Sequence, residues 1–446
     1  MPSRFSRVPL PLAGLLSLAV AMGIGRFAFT PVLPMMQADL GLSLAQGGWL
    51  ASANYLGYLL GALMVTHLSW SPAQLLRRGL WLVVLMTAAM GLDTHWAGWL
   101  VWRLLAGMAS AWVLIGTASL CIARLNATGQ AGRSGVVFAG VGCGIMFAGL
   151  ACLGLTVLGT SSSQAWLWLA AAALLGLLGA SMLWRQPTET TIAATGIRPD
   201  HPAQPTHNDH RTTPDTAALT RSASSTAIND IPANAAARRS ENTAPAREAG
   251  DPATPLLHWG LILCYGVYGF GYILPATFLP AQARLLVPDP WLFSLAWPVF
   301  GLAGALSTLV ASRLARHLTR PQLWAGAQLV MAIGVLAPVL WHSLAAILFA
   351  ALCVGSTFMV ITMVGLQEAQ ATVGTAGAKR QMAAMTASFA LGQLIGPLFF
   401  SLTHQWFGAP LEFALVMGTL GLVAGALPIL RLQGRQDTPP IPRQES

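Results

Sequence analysis

Acidic residues are scarce in this chain, and none falls in the middle of an apolar run. There are 15 Asp and Glu against 24 Lys and Arg in 446 residues, and charged residues together make up only 9%. A water-soluble protein carries about 25%, so most of this surface is not built for water. Asp39, Asp93, Glu368 and Glu412 fall at the ends of apolar runs and Asp289 in a loop; the other acids sit in tails or in one long polar segment. Buried Asp or Glu is the usual titrating group of proton-coupled carriers, so a carboxylate relay is not expected.

Further absences narrow the class. The five cysteines (Cys121, Cys143, Cys152, Cys264, Cys353) lie in apolar stretches without CxxC spacing or His partners. They read as small packing residues, which excludes a disulfide framework or a cysteine metal site. No histidine lies at the centre of an apolar run; His201, His207 and His210 belong to the polar segment, and metal binding is not expected of them. No GxxxxGK[ST] stretch is present, so ATP does not drive the protein directly. Alternating strands of about 10 residues, the mark of a membrane β-barrel, are missing too. The net charge of +9 is spread over loops and not gathered on one face, so nucleic acid is not an expected partner.

What fills the chain is apolar helix. Hydrophobic residues make up 55% and mean hydropathy is +0.61, with repeated windows of 18 or more apolar residues, each able to cross about 30 Å of hydrocarbon. The expected fold class is an all-α polytopic membrane protein with twelve transmembrane helices in two parallel six-helix repeats. The helices are expected at 10–36, 47–68, 79–93, 96–123, 134–159 and 165–184, then 258–282, 291–312, 322–341, 343–367, 381–403 and 411–430. This divides the chain into an N-terminal bundle (1–184), a cytoplasmic disordered linker (185–257), a C-terminal bundle (258–431) and a cytoplasmic tail (432–446). The linker is rich in Thr, Ala, Pro, Ser and Arg and poor in large apolar residues, so it cannot form a core. As a flexible coil it would span about 45–50 Å.

One stretch stands out. Gly23-Ile24-Gly25-Arg26-Phe27-Ala28-Phe29-Thr30-Pro31-Val32-Leu33-Pro34 puts a full charge inside an apolar run, at a cost of about 2.5–3.5 kcal/mol on insertion scales. The pattern returns 246 residues later as Gly269-Phe270-Gly271-Tyr272-Ile273-Leu274-Pro275-Ala276-Thr277-Phe278-Leu279-Pro280. Both glycines and the closing Leu-Pro coincide, and Tyr272 takes the place of Arg26: an internal repeat. Residues 4–21 also have the layout of a secretory signal, but cleavage there would cut the first repeat unit in half, just before Gly23. They are therefore read as the start of the first helix.

Orientation follows from the basic residues. All but three of the 24 fall on one side when the termini share it; Arg284 falls on the other, and Arg26 and Arg103 lie within helices. That side is taken as the cytoplasm of a bacterial inner membrane, with both termini there. Trp96, Trp99, Trp166, Trp291, Trp341 and Trp406 are expected at the outer boundary, and Trp81, Trp184, Trp259 and Trp324 at the inner one.

The repeat motif, followed by Gly47-Gly48-Trp49 and Asn54-Tyr55-Leu56-Gly57-Tyr58, resembles the YbfB/YjiJ-like branch of the major facilitator superfamily. Arg103-x-x-x-Gly107, the series Gly140, Gly144, Gly149 and the stretch Gly392-Gln393-Leu394-Ile395-Gly396-Pro397 are similar to marks of the superfamily at large. The resemblance covers nearly the whole chain except the central segment and tails. It implies a carrier in which helices 1, 4, 7 and 10 line a central cavity. The loop His67 to Arg78 departs from the pattern: it keeps a basic pair but lacks the Asp-Arg of the superfamily's inner latch.

The residues expected to bind substrate are Arg26, Arg103, Tyr272, Tyr268, Tyr58, Asn54 and Gln393. A guanidinium is a planar, permanently charged fork suited to carboxylate or phosphate, so the cavity would take an anion or zwitterion. A structural role competes: Arg103 could tie its helix to backbone carbonyls, and Arg26 could pair across helices 1 and 4. All five tyrosines lie in two helices, Tyr55 and Tyr58 at i, i+3 and Tyr265 and Tyr272 at i, i+7, with Tyr268 between. Their hydroxyls need partners when buried, from substrate, water or backbone. Gly23, Gly25, Pro31, Pro34, Gly271, Pro275, Pro280, Gly144 and Gly396 are expected to serve conformational change, or equally to pack statically.

The expected function is secondary transport by alternating access, with no enzymatic activity, cofactor or metal. The expected partners are a small-molecule substrate and the lipid bilayer, with the chain acting as a monomer; a coupling ion (proton or counter-anion) is left open, as is uniport. The competing reading is a non-transporting membrane sensor or scaffold that retains the fold.

Overall fold

The computed structural model describes residues 9–185, 257–286 and 290–436, without the side chains of 44, 45, 185, 278–286, 290–296 and 431–436. The expected linker, apart from its ends, and the expected tail beyond 436 lie outside the described residues. So does the side chain of Pro280.

Helices account for nearly all of the described chain. They are α1 (Leu10–Leu40), α2 (Leu44–His67), α3 (Pro72–Leu92), α4 (Trp96–Ala127), α5 (Ser134–Val157) and α6 (Ser162–Trp184). After the break come α7 (Trp259–Leu286), α8 (Pro290–Leu314), α9 (Arg320–Leu340), α10 (344–373), α11 (375–407) and α12 (Leu411–Gln436). Among the described residues, 10 helical stretches are long and apolar enough to cross a membrane, counting Leu344–Phe407 once. The chain is an all-α polytopic membrane protein.

Short polar signals set the helix starts. Ser43 with Gln46, Ser71 with Gln74, Ser161 with Gln164 and Thr319 with Gln322 form reciprocal capping boxes, each satisfying two otherwise orphaned N–H groups. The Ser71 box, with Pro72 at the first position, starts α3 seven residues before the expected 79. Arg77 and Arg78 are therefore helical and not in a loop. The expected loop 368–380 is helical as well. Only Gly374 breaks it, at φ 70 and ψ 179, a conformation open to glycine alone.

The first helix is not uniform. Ala19–Phe27 is a π-helix, closed by a turn at Ala28 before α-helix resumes at Phe29. Pro31 has no N–H for the Phe27 carbonyl, so a change of winding at this point removes a conflict. Pro34 lies within the resumed helix. In α7, by contrast, helix continues through Pro275 to Leu286.

Glycines set the closest crossings, and they sort by neighbour. A Cβ on Gly23 would strike the main chain of Gly144, and one on Gly140 that of Leu15, which fixes α1 on α5. Gly392 meets Gly266 and Phe270 in the same way, and Gly396 meets Ile273, which fixes α7 on α11. Gly25 packs against Val83 and Ser110, and Gly271 against Leu422. Gly144 and Gly396 thus sit at contacts within each set of six helices. Glycine contact between the sets runs along the other face of α5, where Gly135 meets Thr308 and Ser312, Gly142 meets Gly301 and Ala305, and Gly149 meets Pro298.

The tryptophans correct one expectation. Trp81, Trp259, Trp341 and Trp406 are exposed, as a boundary residue should be. Trp99, Trp166 and Trp324 are buried; the Trp99 indole donates to Asp93 O and the Trp324 indole to Gln328 Oε1, both at 2.9 Å.

Candidate functional site

Side chains of α4 donate to carbonyls of the π-helical turns of α1. Ser110 Oγ donates to Ala21 O at 2.8 Å. Arg103 Nη1 and Nη2 donate to Gly25 O and Arg26 O, both at 3.3 Å, and its guanidinium lies 4.6 Å from the Phe29 ring centre. Asn54 Nδ2 in turn donates to Arg103 O at 2.9 Å. Arg103 and Asn54 therefore hold α1, α2 and α4 together around the π-helix, and neither lines the central cavity.

Arg26, held in place by that frame, points the other way. It is 3% exposed. Its Nη2 donates to Gln393 Oε1 on α11, so the charge of the N-terminal six helices meets an amide of the C-terminal six. The guanidinium lies over the Tyr58 ring at 4.0 Å, with Tyr55 and Phe27 at 5.4 and 5.5 Å. Ring faces attract a cation, by about 2 kcal/mol when desolvated. Nε and Nη1 have no hydrogen-bond partner among the described residues. A buried cation with unpaired donors and no carboxylate beside it is unfavourable unless something anionic joins it.

The cavity at Arg26 is narrow, with room for little more than a water molecule. Tyr58, Tyr272 and Gln393 line it, as does Tyr265, which shares the face of Tyr272 by its i, i+7 spacing. Phe27, Phe358 and Phe389 form much of the rest, with Met22, Leu114, Met359 and Thr362. Tyr268 is not part of the lining: its hydroxyl donates to Phe358 O at 2.7 Å. The phenylalanines and Met22 carried no sequence signal, because an apolar residue in an apolar helix looks the same whether it faces lipid, core or cavity.

The acids lie elsewhere. Glu368 is buried but paired with Arg320 Nε at 2.8 Å. Asp93 closes α3, accepting from the His95 backbone N–H at 2.9 Å and the Trp102 indole at 2.8 Å. These bonds, the His95 one first, hold its carboxyl below the usual carboxylate range. Arg103 bonds the Gly25 and Arg26 carbonyls instead.

At the end of the bundle where the arginines gather, here the basic end, further bonds join the two sets. Lys379 Nζ donates to Leu68 O at 2.8 Å and Trp70 O at 3.1 Å. Trp70 is itself clamped, 4.0 Å from the Arg78 guanidinium and edge-on to Trp112 at 5.3 Å. Gln367 Nε2 donates to Ser134 Oγ at 2.6 Å, and Thr308 Oγ1 to Gly135 O at 3.1 Å. The loop that lacks the superfamily's Asp-Arg pair is thus tied through its carbonyls to a lysine.

A helical membrane body with a polar site buried midway defines a carrier fold, and the comparisons agree. The solved structure of the human organic anion transporter MFSD10 (TETRAN) matches with a TM-score of 0.62 at 13% identity, covering 96% of this chain and 100% of that one. No curated protein sequence matches. The family profile described as "Uncharacterised MFS-type transporter YbfB" matches residues 18–214 and 216–430. The chain belongs to that family of MFS-type transporters, which are carriers and not enzymes.

Proposed function

We propose that the protein is a secondary transporter of a small organic anion or zwitterion, working by alternating access around Arg26. It spans a bacterial inner membrane twelve times in two six-helix repeats, with the basic end and both termini in the cytoplasm. The carrying observation is Arg26 itself: buried, with unpaired donors, at the meeting of the two sets of helices. A site shared by two bodies that rock against each other is where alternating exposure is possible.

The repeat is supported by the recurrence of one contact, since both copies of the glycine motif lean on a G-x-x-x-G helix, α5 or α11. The state is supported by exposure along the site's own faces. Toward the basic end the Arg26 face is covered at Met22 and Leu18, and the Tyr58 face at Ala62 and Val65. Toward the other end Thr30 and Pro34, on the Arg26 face, are exposed. That is the arrangement of a carrier shut on its cytoplasmic side. The structural neighbour is named an organic anion transporter, and a shared fold is in keeping with an anion as cargo.

The test is flux in proteoliposomes. Wild type should move organic anions, and Arg26→Lys, which keeps the charge but loses the planar fork, should keep the fold and lose most of the flux. Wild-type rates in that variant would sink the role given to Arg26.

A further inference from the structure

The lining of the Arg26 cavity limits the cargo more than the presence of an arginine does. We infer that the site, once widened beyond the narrow cavity of this state, takes a monoanion with a flat apolar body, of which an aromatic monocarboxylate is the simplest case. The inference rests on the anion-carrier reading and narrows it.

Charge comes first. Among the described residues the lining contains one cation, Arg26, and no carboxylate. The second buried guanidinium is not free to help, because Arg103 spends two nitrogens on the carbonyls of Gly25 and Arg26. One guanidinium within reach can pair directly with one carboxylate. A dianion would leave its second carboxylate without a cation to bond, among apolar walls where charges are costly to bury. A zwitterion would leave an ammonium beside a guanidinium with no acid to answer it.

Shape follows from the walls. In the lining, Tyr272 and Phe358 stack at 5.6 Å and 19°; behind Phe358, outside the lining, Phe300 stacks on it at 5.1 Å and 22°, and Trp297 on Phe300 at 5.5 Å and 8°. Phe389 faces Tyr272 at 6.1 Å and 30°. A planar ring joins such a series in offset or edge-on contact, worth about 0.5–1.5 kcal/mol beyond its buried area. Two of the lining's polar atoms are already committed. Thr362 Oγ1 donates to Phe358 O at 2.9 Å, and Gln393 Oε1 accepts from Arg26.

The test is a ligand series on the purified full chain, read by isothermal calorimetry and thermal shift: benzoate, benzamide, cyclohexanecarboxylate, terephthalate and phenylalanine. Benzoate should bind about tenfold or more tighter than benzamide, its neutral isostere, as expected for a charge-assisted hydrogen bond. Cyclohexanecarboxylate should bind more weakly than benzoate, and terephthalate and phenylalanine should not bind. Arg26→Gln should lose the preference for benzoate over benzamide. Terephthalate or phenylalanine binding as well as benzoate overturns the monoanion class and leaves the anion carrier standing. Equal binding of cyclohexanecarboxylate overturns the flat body. No benzoate binding at millimolar concentration overturns the inference, and if wild type also binds other organic anions no better than Arg26→Gln does, the carrier reading falls with it.

Discussion

Arg26 Nη2 donates to Gln393 Oε1 across the junction of the N-terminal and C-terminal helices. The two residues are far apart in sequence, and each lies on a helix held to its own set by glycine contacts. The bond therefore reports the relative position of the two bodies as much as it positions a side chain.

Replacing Gln393 with Leu should make that dependence visible. The variant leaves a further donor of Arg26 buried without a partner, at roughly 1–3 kcal/mol. The substrate-free protein should unfold at lower temperature in detergent, and a saturating anion should recover most of the loss. Equal unfolding midpoints for variant and wild type would show that the bond carries no weight.

Arg103→Leu is expected to behave differently. It removes two charge-assisted bonds to the α1 carbonyls, each worth about 1.5–3 kcal/mol, so folded yield and thermal stability should drop sharply. In whatever folds, the rank order of ligands should be that of wild type, because Arg103 does not line the cavity. A changed rank order would place it in the site.

Lys379→Met keeps an apolar stem and removes the bonds to Leu68 and Trp70. Losing about 1.4 kcal/mol from the state shut at the basic end moves the population about tenfold toward the other. Spin labels at exposed Thr128 and Arg316, in a background without the five native cysteines, should show a longer mean distance in the variant. An unchanged distribution would remove Lys379 from the closing contacts.

Gly142→Val should jam the contact of α5 with α8, since its side chain would meet the main chain of Gly301 and Ala305. Overpacking of this kind costs about 1–3 kcal/mol, and flux should fall with stability. Gly154→Ala is the control, because nothing lies within 4 Å of an added Cβ there, and it should resemble wild type.

Much of this was legible in the sequence for a simple reason: a charge is conspicuous in apolar surroundings. Arg26 and Arg103 could be found by composition, and Tyr58, Tyr272 and Gln393 by their polarity within helices. Their roles were not legible, because a guanidinium bound to carbonyls and one facing a cavity read alike until the neighbouring helix is placed. The π-helix was hidden as well, since Ala19–Phe27 differs from α-helix in which carbonyl each N–H meets and not in residue type. Gly142 completes an i, i+7 series with Gly135 and Gly149, a period the sequence does contain. The more conspicuous Gly140 and Gly144 belong to another neighbour.

The single residue that separates α10 from α11 has a mechanical consequence. Gly374 turns the chain with no loop on either side, so the connector has no slack. A displacement of α11 large enough to free Lys379 would pull α10 and its Phe358 along, and the aromatic wall would travel with the latch. Opening at the basic end and reshaping of the cavity would then be one motion, made by the C-terminal helices as a rigid lever.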